Sequence, residues 1–240
     1  MPQSKILFQY RLRESARARH VRLRVTPHAG LEVVMPRGFD PARVPDLLER
    51  KRAWIRAALE RAGAERRPHG PEPVWKLPEE IRLPALGRAW QVAVQDADKP
   101  WVTVRETGPG RLLIHGRVGD EPAGRAALAR WLVRQAGDHL TPRLAELSGQ
   151  LGLAFRRVGF KRQRTRWGSC SHRQTISLNA KLLFLEPALV RYVMVHELCH
   201  LVEMNHSPRF WSLVQQHHAD FRAHDRELRN GWKHVPRWAD

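Results

Sequence analysis

The chain has 240 residues, enough for one large domain or two small ones with a buried core. It contains 42 Lys and Arg against 24 Asp and Glu, and the resulting net charge of +18 makes a nucleic acid or a nucleotide a possible partner of its basic surface. Two cysteines exclude a disulfide scaffold, no segment is apolar enough to span a bilayer, and no secretory signal is recognisable, so we expect a cytoplasmic protein without a membrane partner.

The first third of the chain predicts a β-hairpin followed by a helix. Residues 21–25 alternate apolar and basic side chains, residues 27–30 have the composition of a turn, and residues 31–35 are apolar again, which is the pattern of a hairpin. Apolar residues at helical spacing then predict a helix that opens at Asp40 and runs towards Ala62. Residues 63–78 are rich in Pro, Gly and Arg, so we expect a loop or linker there.

Short strands and a long helix are predicted in the middle of the chain. The strands are expected near residues 90–94, 101–105 and 112–115. Apolar residues then recur at helical spacing over residues 122–151, and Pro142 is expected to kink or split this helix. We therefore predict two regions: a β-rich N-terminal region with one helix, residues 1–120, and an α+β catalytic domain, residues 121–240.

The C-terminal region is expected to alternate strands and helices. Two strand-like runs cover residues 155–163 and 166–178, the second with a turn at residues 171–174. Pro187 suits the first turn of the helix that follows, and apolar residues on nearly all faces predict that this helix is buried. Further helices are expected from Ser207 and from about residue 218.

The buried helix carries the pattern His-Glu-x-x-His at positions 196–200. Residues four apart lie on one face of a helix, so His196 and His200 point to one place, and Glu197 beside them can act on a metal-bound water. Burying two imidazoles and a carboxylate costs several kcal/mol unless they are paired or bind a metal. The pattern therefore predicts the Zn²⁺ site of a hydrolase.

His206 is the expected third ligand of this metal. Asn205 can end the helix and Ser207 can begin the next one, so His206 lies on a turn from which its ring can reach the other two. The spacing equals that of the metzincins, but Glu203 occupies the position of their glycine. Glu203 is the competing ligand, although it lies about 10 Å along the helix axis from His196.

The motifs around this helix resemble those of a known family. They are Arg-Thr-Arg-Trp-Gly-Ser-Cys-Ser at 164–171, Ile-Ser-Leu-Asn at 176–179, His-Glu-Leu-Cys-His at 196–200 and Asn-His-Ser-Pro-Arg-Phe-Trp at 205–211. Together they resemble the YgjP-like zinc metallopeptidases, which are related to the WLM and SprT-like metallopeptidases. The resemblance is strongest over residues 155–231, and residues 15–20 and 51–55 also look like the amino-terminal region of that family.

The resemblance implies a fold, a cofactor and roles for four residues. It implies a zincin-like catalytic domain of the α+β class, in which the motif helix packs on a small sheet. It further implies Zn²⁺ as the cofactor, His196, His200 and His206 as its ligands, and Glu197 as the catalytic acid and base. The resemblance is more informative about metal chemistry than about the substrate.

Three functions are compatible with these residues. The first is a metallopeptidase that cleaves a peptide or protein substrate with a zinc-activated water, and Arg164, Arg166 and His172 are candidates for substrate contact. The second is a metal-dependent nucleotide phosphohydrolase, a nucleoside triphosphate pyrophosphatase, whose arginines hold the phosphates. The third is a nucleic-acid-associated protein that retains a zinc site, although structural zinc sites usually have four ligands and are rich in cysteine.

Overall fold

A computed structural model describes residues 8–16, 18–26, 30–64 and 76–239, and these form a mixed α+β structure. The chain divides into two compact units, Met1–Val74 and Trp75–Asp240. The predicted turn at residues 27–29 and residues 65–75 of the predicted linker lie outside the described residues. None of the helices in the described ranges is long and apolar enough to cross a membrane.

The first unit contains the predicted hairpin and one further strand. Its strands are β1 (Tyr10–Glu14), β2 (Arg22–Thr26) and β3 (Gly30–Met35). The order in the sheet is β1-β3-β2, and β3 pairs antiparallel with β2, as a hairpin requires, and parallel with β1. Alternate residues of β3 face the core, so that Leu31, Val33 and Met35 are buried there.

Two helices share this core with the sheet. They are α1 (Val44–Arg50) and α2 (Arg52–Ala64), preceded by a 3-10 turn at Pro41–Arg43. The predicted single helix from Asp40 is thus interrupted at Lys51, whose backbone leaves the helical conformation. The buried residues Leu48 and Ile55 keep the helical spacing of seven across the interruption, so the apolar pattern did not reveal it.

The second unit begins with a four-stranded sheet and a long helix. The strands are β4 (Glu80–Leu83), β5 (Arg88–Asp96), β6 (Val102–Gly108) and β7 (Arg111–Gly116), in the order β4-β5-β7-β6. The last three correspond to the predicted strands, whereas β4 was not predicted. The helix α3 (Glu121–Leu151) follows and packs against β6.

Two features of this region bear on the predictions. Helix α3 continues through Pro142 and does not split there. Proline removes the N–H that would reach the carbonyl of Asp138, and both residues are exposed to water. The boundary placed at residue 120 falls inside the second compact unit. The sheet and α3 share one core, in which the rings of Trp90 and Trp131 meet edge to face with centroids 5.4 Å apart.

A three-stranded sheet comes next in the chain. Its strands are β8 (Arg157–Lys161), β9 (Gly168–Cys170) and β10 (Thr175–Asn179), in the order β8-β10-β9. β10 is parallel to β8 and antiparallel to β9, so the run at 166–178 is two strands around the predicted turn. Among the described strands β9 has β10 as its one neighbour, so its other edge is open.

Three α-helices follow this sheet, and the 3-10 helices Gly231–His234 and Arg237–Ala239 come after them. The α-helices are α4 (Pro187–Cys199), α5 (Pro208–His217) and α6 (Phe221–Leu228). α4 is buried, as its apolar sequence predicts, and contacts α3, α5, α6 and β9. The Ser207 side chain accepts a hydrogen bond from the backbone N–H of Phe210 at 3.3 Å, which confirms the predicted cap at the start of α5.

Candidate metal centre

Three histidine side chains converge at the C-terminal end of α4. His196 lies in the last turn of the helix, His200 is the residue that ends it, and His206 lies on the turn before α5. The Nε2 atom of His196 is 3.2 Å from Nε2 of His200 and 3.0 Å from Nε2 of His206. Among the described residues, these three histidines form a possible metal-binding cluster, because their ligand nitrogens all lie within 4.8 Å of one another.

The geometry of this cluster fits one metal ion. Zinc–imidazole bonds are about 2.0–2.1 Å long, so two nitrogens on a tetrahedral ion lie about 3.3 Å apart. The distances from His196 to its two neighbours are close to this value. Burial, together with the neighbouring imidazoles, lowers the pKa of His196 to about 3, and burial also lowers the pKa of His200. Both rings are therefore neutral at pH 7 and keep a lone pair for a metal.

The backbone fixes which nitrogen of His200 can bind a metal. Its Nδ1 lies 3.0 Å from the carbonyl oxygen of Glu203, and a carbonyl only accepts, so Nδ1–H is the donor. The Nε2 lone pair then faces the other histidines, as expected of a metal ligand held by a hydrogen bond from its second nitrogen. The ring of the buried Phe210 stacks on His200 with centroids 4.4 Å apart and holds it in this orientation.

The structure brings His206, and not Glu203, to the two helical histidines. The Glu203 carboxylate binds the backbone of the following turn instead: its Oε1 accepts a hydrogen bond from the N–H of Asn205 at 3.3 Å. Its carbonyl contributes indirectly by holding His200. Glu203 is absent from the described cluster of ligand atoms.

Glu197 is buried beside the histidines with an oxygen that lacks a partner. Only 5% of its surface is exposed, and within the described part of the chain Oε2 has no hydrogen-bond partner. Burial raises the pKa of its carboxyl group to about 8, against the opposing effect of the Arg166 charge. A buried oxygen without a partner is costly, so the site favours a water or a substrate group that donates a hydrogen bond to it.

The backbone of β9 approaches the carboxyl group of Glu197 directly. A Cβ atom placed on Gly168 would lie 2.5 Å from Oε1 and 2.7 Å from Cγ of Glu197. Only glycine fits at this position without moving the carboxyl group. Gly168 belongs to the motif at 164–171, and a glycine inside a strand is the sequence signal for such a close approach.

We expect Gly168→Ala to displace the Glu197 carboxylate and to lower hydrolysis by about 100-fold, because a shift of about 1 Å in a catalytic group can cost that much. Metal binding should remain, since the three atoms nearest to a Cβ at Gly168 all belong to Glu197 and none to a histidine. Metal content and hydrolysis rates measured on the same preparation check this. Gly159→Ala on β8 is the matched control, because a Cβ there meets nothing within 4 Å. Equal activity of both variants would contradict the role of Gly168.

The two predicted substrate-contact arginines lie on the segment between β8 and β9. Both are exposed, and Arg166 is close enough for its charge to lower the pKa of Glu197. The buried Asn179 fixes this segment, because its Nδ2 donates to the carbonyls of Gln163 at 2.8 Å and Arg166 at 2.9 Å. Arg166 is thus held near the site, whereas no contact in the described chain connects Arg164 with the histidines.

Asp225 lies near the site and has no role in the sequence-based predictions. Its Oδ1 accepts a hydrogen bond from the Tyr192 hydroxyl at 3.1 Å, and its Oδ2 accepts one from Arg229 at 2.9 Å. The buried ring of Tyr192 lies edge to face with His196, with centroids 6.1 Å apart. Asp225 therefore ties α6 to the side of α4 that carries a candidate ligand. No local pattern in α6 marks it, because its partner is 33 residues away.

One of three comparisons with known proteins assigns the chain to a family. Residues 19–231 match a family model described as "YgjP-like, metallopeptidase domain". Comparison with curated proteins and with solved structures gives no match. The family match covers most of the chain, including all three histidines and Glu197.

Proposed function

Because the chain belongs to the YgjP-like metallopeptidase family, we propose that it is a zinc-dependent peptidase. In this proposal His196, His200 and His206 hold the ion, and Glu197 is the general base. The supporting observation is the convergence of three imidazole Nε2 atoms beside a buried carboxyl group with a partnerless oxygen. Three imidazoles suit zinc and leave a fourth position open, which is the arrangement of catalytic zinc sites.

We also propose the zincin arrangement for this part of the chain. The helix α4 carries the motif and contacts β9 of the small sheet, and α5 follows the turn with His206.

The two cysteines, Cys170 and Cys199, are free, which supports a reducing compartment and hence the cytoplasm. Burial raises the pKa of Cys170 to about 11, so its thiol is neutral near pH 7. Cys170 also lies outside the described cluster of ligand atoms.

In the mechanism, Glu197 accepts and then delivers a proton. Zinc held by His196, His200 and His206 would supply Lewis acidity and a water activated near neutral pH. Glu197 takes the proton of the attacking water on its carboxylate and transfers it to the leaving amine of the peptide. Burial raises the proton affinity of Glu197, which suits its acceptance of a proton, while the charge of Arg166 opposes this effect and favours the carboxylate form.

The open edge of β9 favours a peptide as the substrate. Trp167 and Ser171 form backbone hydrogen bonds to β10 at 2.8 Å and 3.1 Å. Because pairing alternates along antiparallel strands, the N–H and C=O groups of Gly168 and Cys170 point to the opposite edge. An extended peptide that pairs with this edge would run beside Glu197, which contacts the Gly168 position.

A nucleotide phosphohydrolase is the second candidate. The observation in its favour is that Arg166 is close enough for its charge to lower the pKa of Glu197, since arginine binds phosphate groups through two parallel hydrogen bonds. The same histidines and the same general base would serve this reaction, so the two candidates differ only in the substrate that the surrounding groups accept.

Metal removal and a comparison of two substrates test the proposal. We expect about one zinc per chain, cleavage of unfolded protein that is lost on chelation and restored by zinc, and slower hydrolysis of nucleoside triphosphates. A peptide with N-methylated backbone amides should be a poor substrate, because it cannot pair with β9. Zinc-dependent triphosphate hydrolysis without peptide cleavage would select the second candidate. Bound zinc with neither activity would favour the nucleic-acid-associated protein.

A further inference from the structure

One face of the sheet in the first unit carries a group of arginines. The opposite face holds Leu31, Val33 and Met35, which pack in the core with α1 and α2. The strand register places Arg11 and Arg24 on either side of Glu32, and Arg13 and Arg22 on either side of Val34. These six residues, Arg11, Arg13, Arg22, Arg24, Glu32 and Val34, are called the arginine face.

The arginine face has a strong excess of positive charge. All four arginines are exposed, and four guanidinium groups against one carboxylate leave a charge of +3 (4 − 1 = 3). The Glu32 carboxylate forms an ion pair with Arg13 at 3.1 Å, and Glu32 is the one acidic residue among the six positions of the face. Like charges close together on a sheet destabilise it. A polyanion bound to this face would offset that cost.

A groove runs between the arginines. It has a volume of about 390 Å³ and is lined by Arg13, Ser15, Ala18, Arg22, Leu23, Arg24 and Val34. Val34 lies between two arginines in the register and is only 7% exposed although it points away from the core of the unit. The groove is therefore lined by a small apolar surface at Val34 and by guanidinium groups on its sides. Guanidinium groups suit phosphates, because the planar arginine head group binds a phosphate through two hydrogen bonds.

The spacing of the arginines fits a double helix better than other polyanions. β1 and β2 lie on the two sides of β3, so the arginines of β1 are two strand spacings, about 10 Å, from those of β2. Along each strand the two arginines are two residues, about 7 Å, apart. The grooves of B-form DNA are about 6 Å and 12 Å wide, so two such rows can contact phosphates on both sides of a groove.

The composition of the face disfavours the alternatives. None of its six positions is aromatic, whereas proteins that hold single strands stack bases on aromatic rings. Its one apolar residue is the buried Val34, so it offers no side chain for insertion into a membrane surface. We propose that the arginine face binds the sugar–phosphate backbone of double-stranded DNA without reading its sequence. This proposal does not depend on the hydrolytic function.

Binding of a short labelled DNA duplex to the full chain, measured by fluorescence anisotropy over a series of salt concentrations, tests the proposal. We expect the double substitution Arg22→Gln with Arg24→Gln to weaken binding and to reduce the slope of log K against log salt by about 2, one unit for each lost phosphate contact. The matched control is Arg50→Gln with Arg56→Gln, which removes the same charge from exposed arginines of α1 and α2. The control should keep the affinity and the slope of the original protein.

Thermal unfolding of each variant verifies that the fold is retained. Equal weakening by both double substitutions would overturn the proposal, because binding would then follow total charge rather than this face. Absence of duplex binding by the unsubstituted chain would overturn it too. So would tighter binding to single-stranded DNA, to RNA or to phosphatidylserine vesicles than to the duplex.

Discussion

Replacing Glu197 with glutamine is expected to lower hydrolysis by about 100- to 10,000-fold, the usual contribution of a general base. Glutamine keeps the size of the side chain but cannot take the proton of the attacking water. The metal should stay bound, because the convergent nitrogens belong to the three histidines and not to Glu197. The fold should remain stable, since burial already favours the neutral form of this carboxyl group and raises its pKa to about 8.

The measurement compares metal content, thermal stability and turnover of Glu197→Gln with those of the original protein. Glu203→Gln is the matched control: it makes the same chemical change six residues along the chain, where the carboxylate meets only a backbone N–H in the described contacts. It should retain the metal and most of the activity. Full activity of Glu197→Gln would show that another group is the base, and loss of metal from Glu203→Gln would restore Glu203 as a ligand.

Replacing His206 with alanine is expected to weaken metal binding by more than about 100-fold, because loss of even an outer hydrogen-bond partner of a ligand costs 10- to 100-fold. His206 is exposed and lies on a turn, where its ring contacts Phe210 and Trp211 from the solvent side, so its loss opens no buried cavity. The metal-free form of the variant should therefore unfold at the same temperature as the metal-free original protein. The stabilisation that zinc adds by binding the folded state should be lost.

A competition titration with a coloured chelator gives the affinities, and thermal unfolding with and without zinc gives the linked stabilisation. His217→Ala is the matched control, since His217 ends α5 and lies outside the described ligand cluster. It should bind zinc like the original protein. Unchanged zinc affinity of His206→Ala would remove His206 from the ligand set.

Much of the candidate site follows from local rules that a sequence displays. The four-residue spacing of His196 and His200 on a helix determines that their rings share a face. Ser207 with Pro208 predicts the start of α5, and the structure shows that cap. The buried character of α4 also follows from its apolar composition. Each of these depends on neighbours within about two helical turns, so the order of residues alone determines them.

The remaining features depend on contacts between residues far apart in the chain, which no local pattern specifies. Gly168 meets Glu197 across 29 positions because β9 packs on α4 (197 − 168 = 29), and Tyr192 meets Asp225 across 33 because α6 packs there. The alternation on β1 and β2 predicts two faces, but only the pairing of both strands with β3 brings the four arginines of the arginine face together. Sequence determined the candidate ligands and their helical spacing. Packing decided which backbone and which charges surround them.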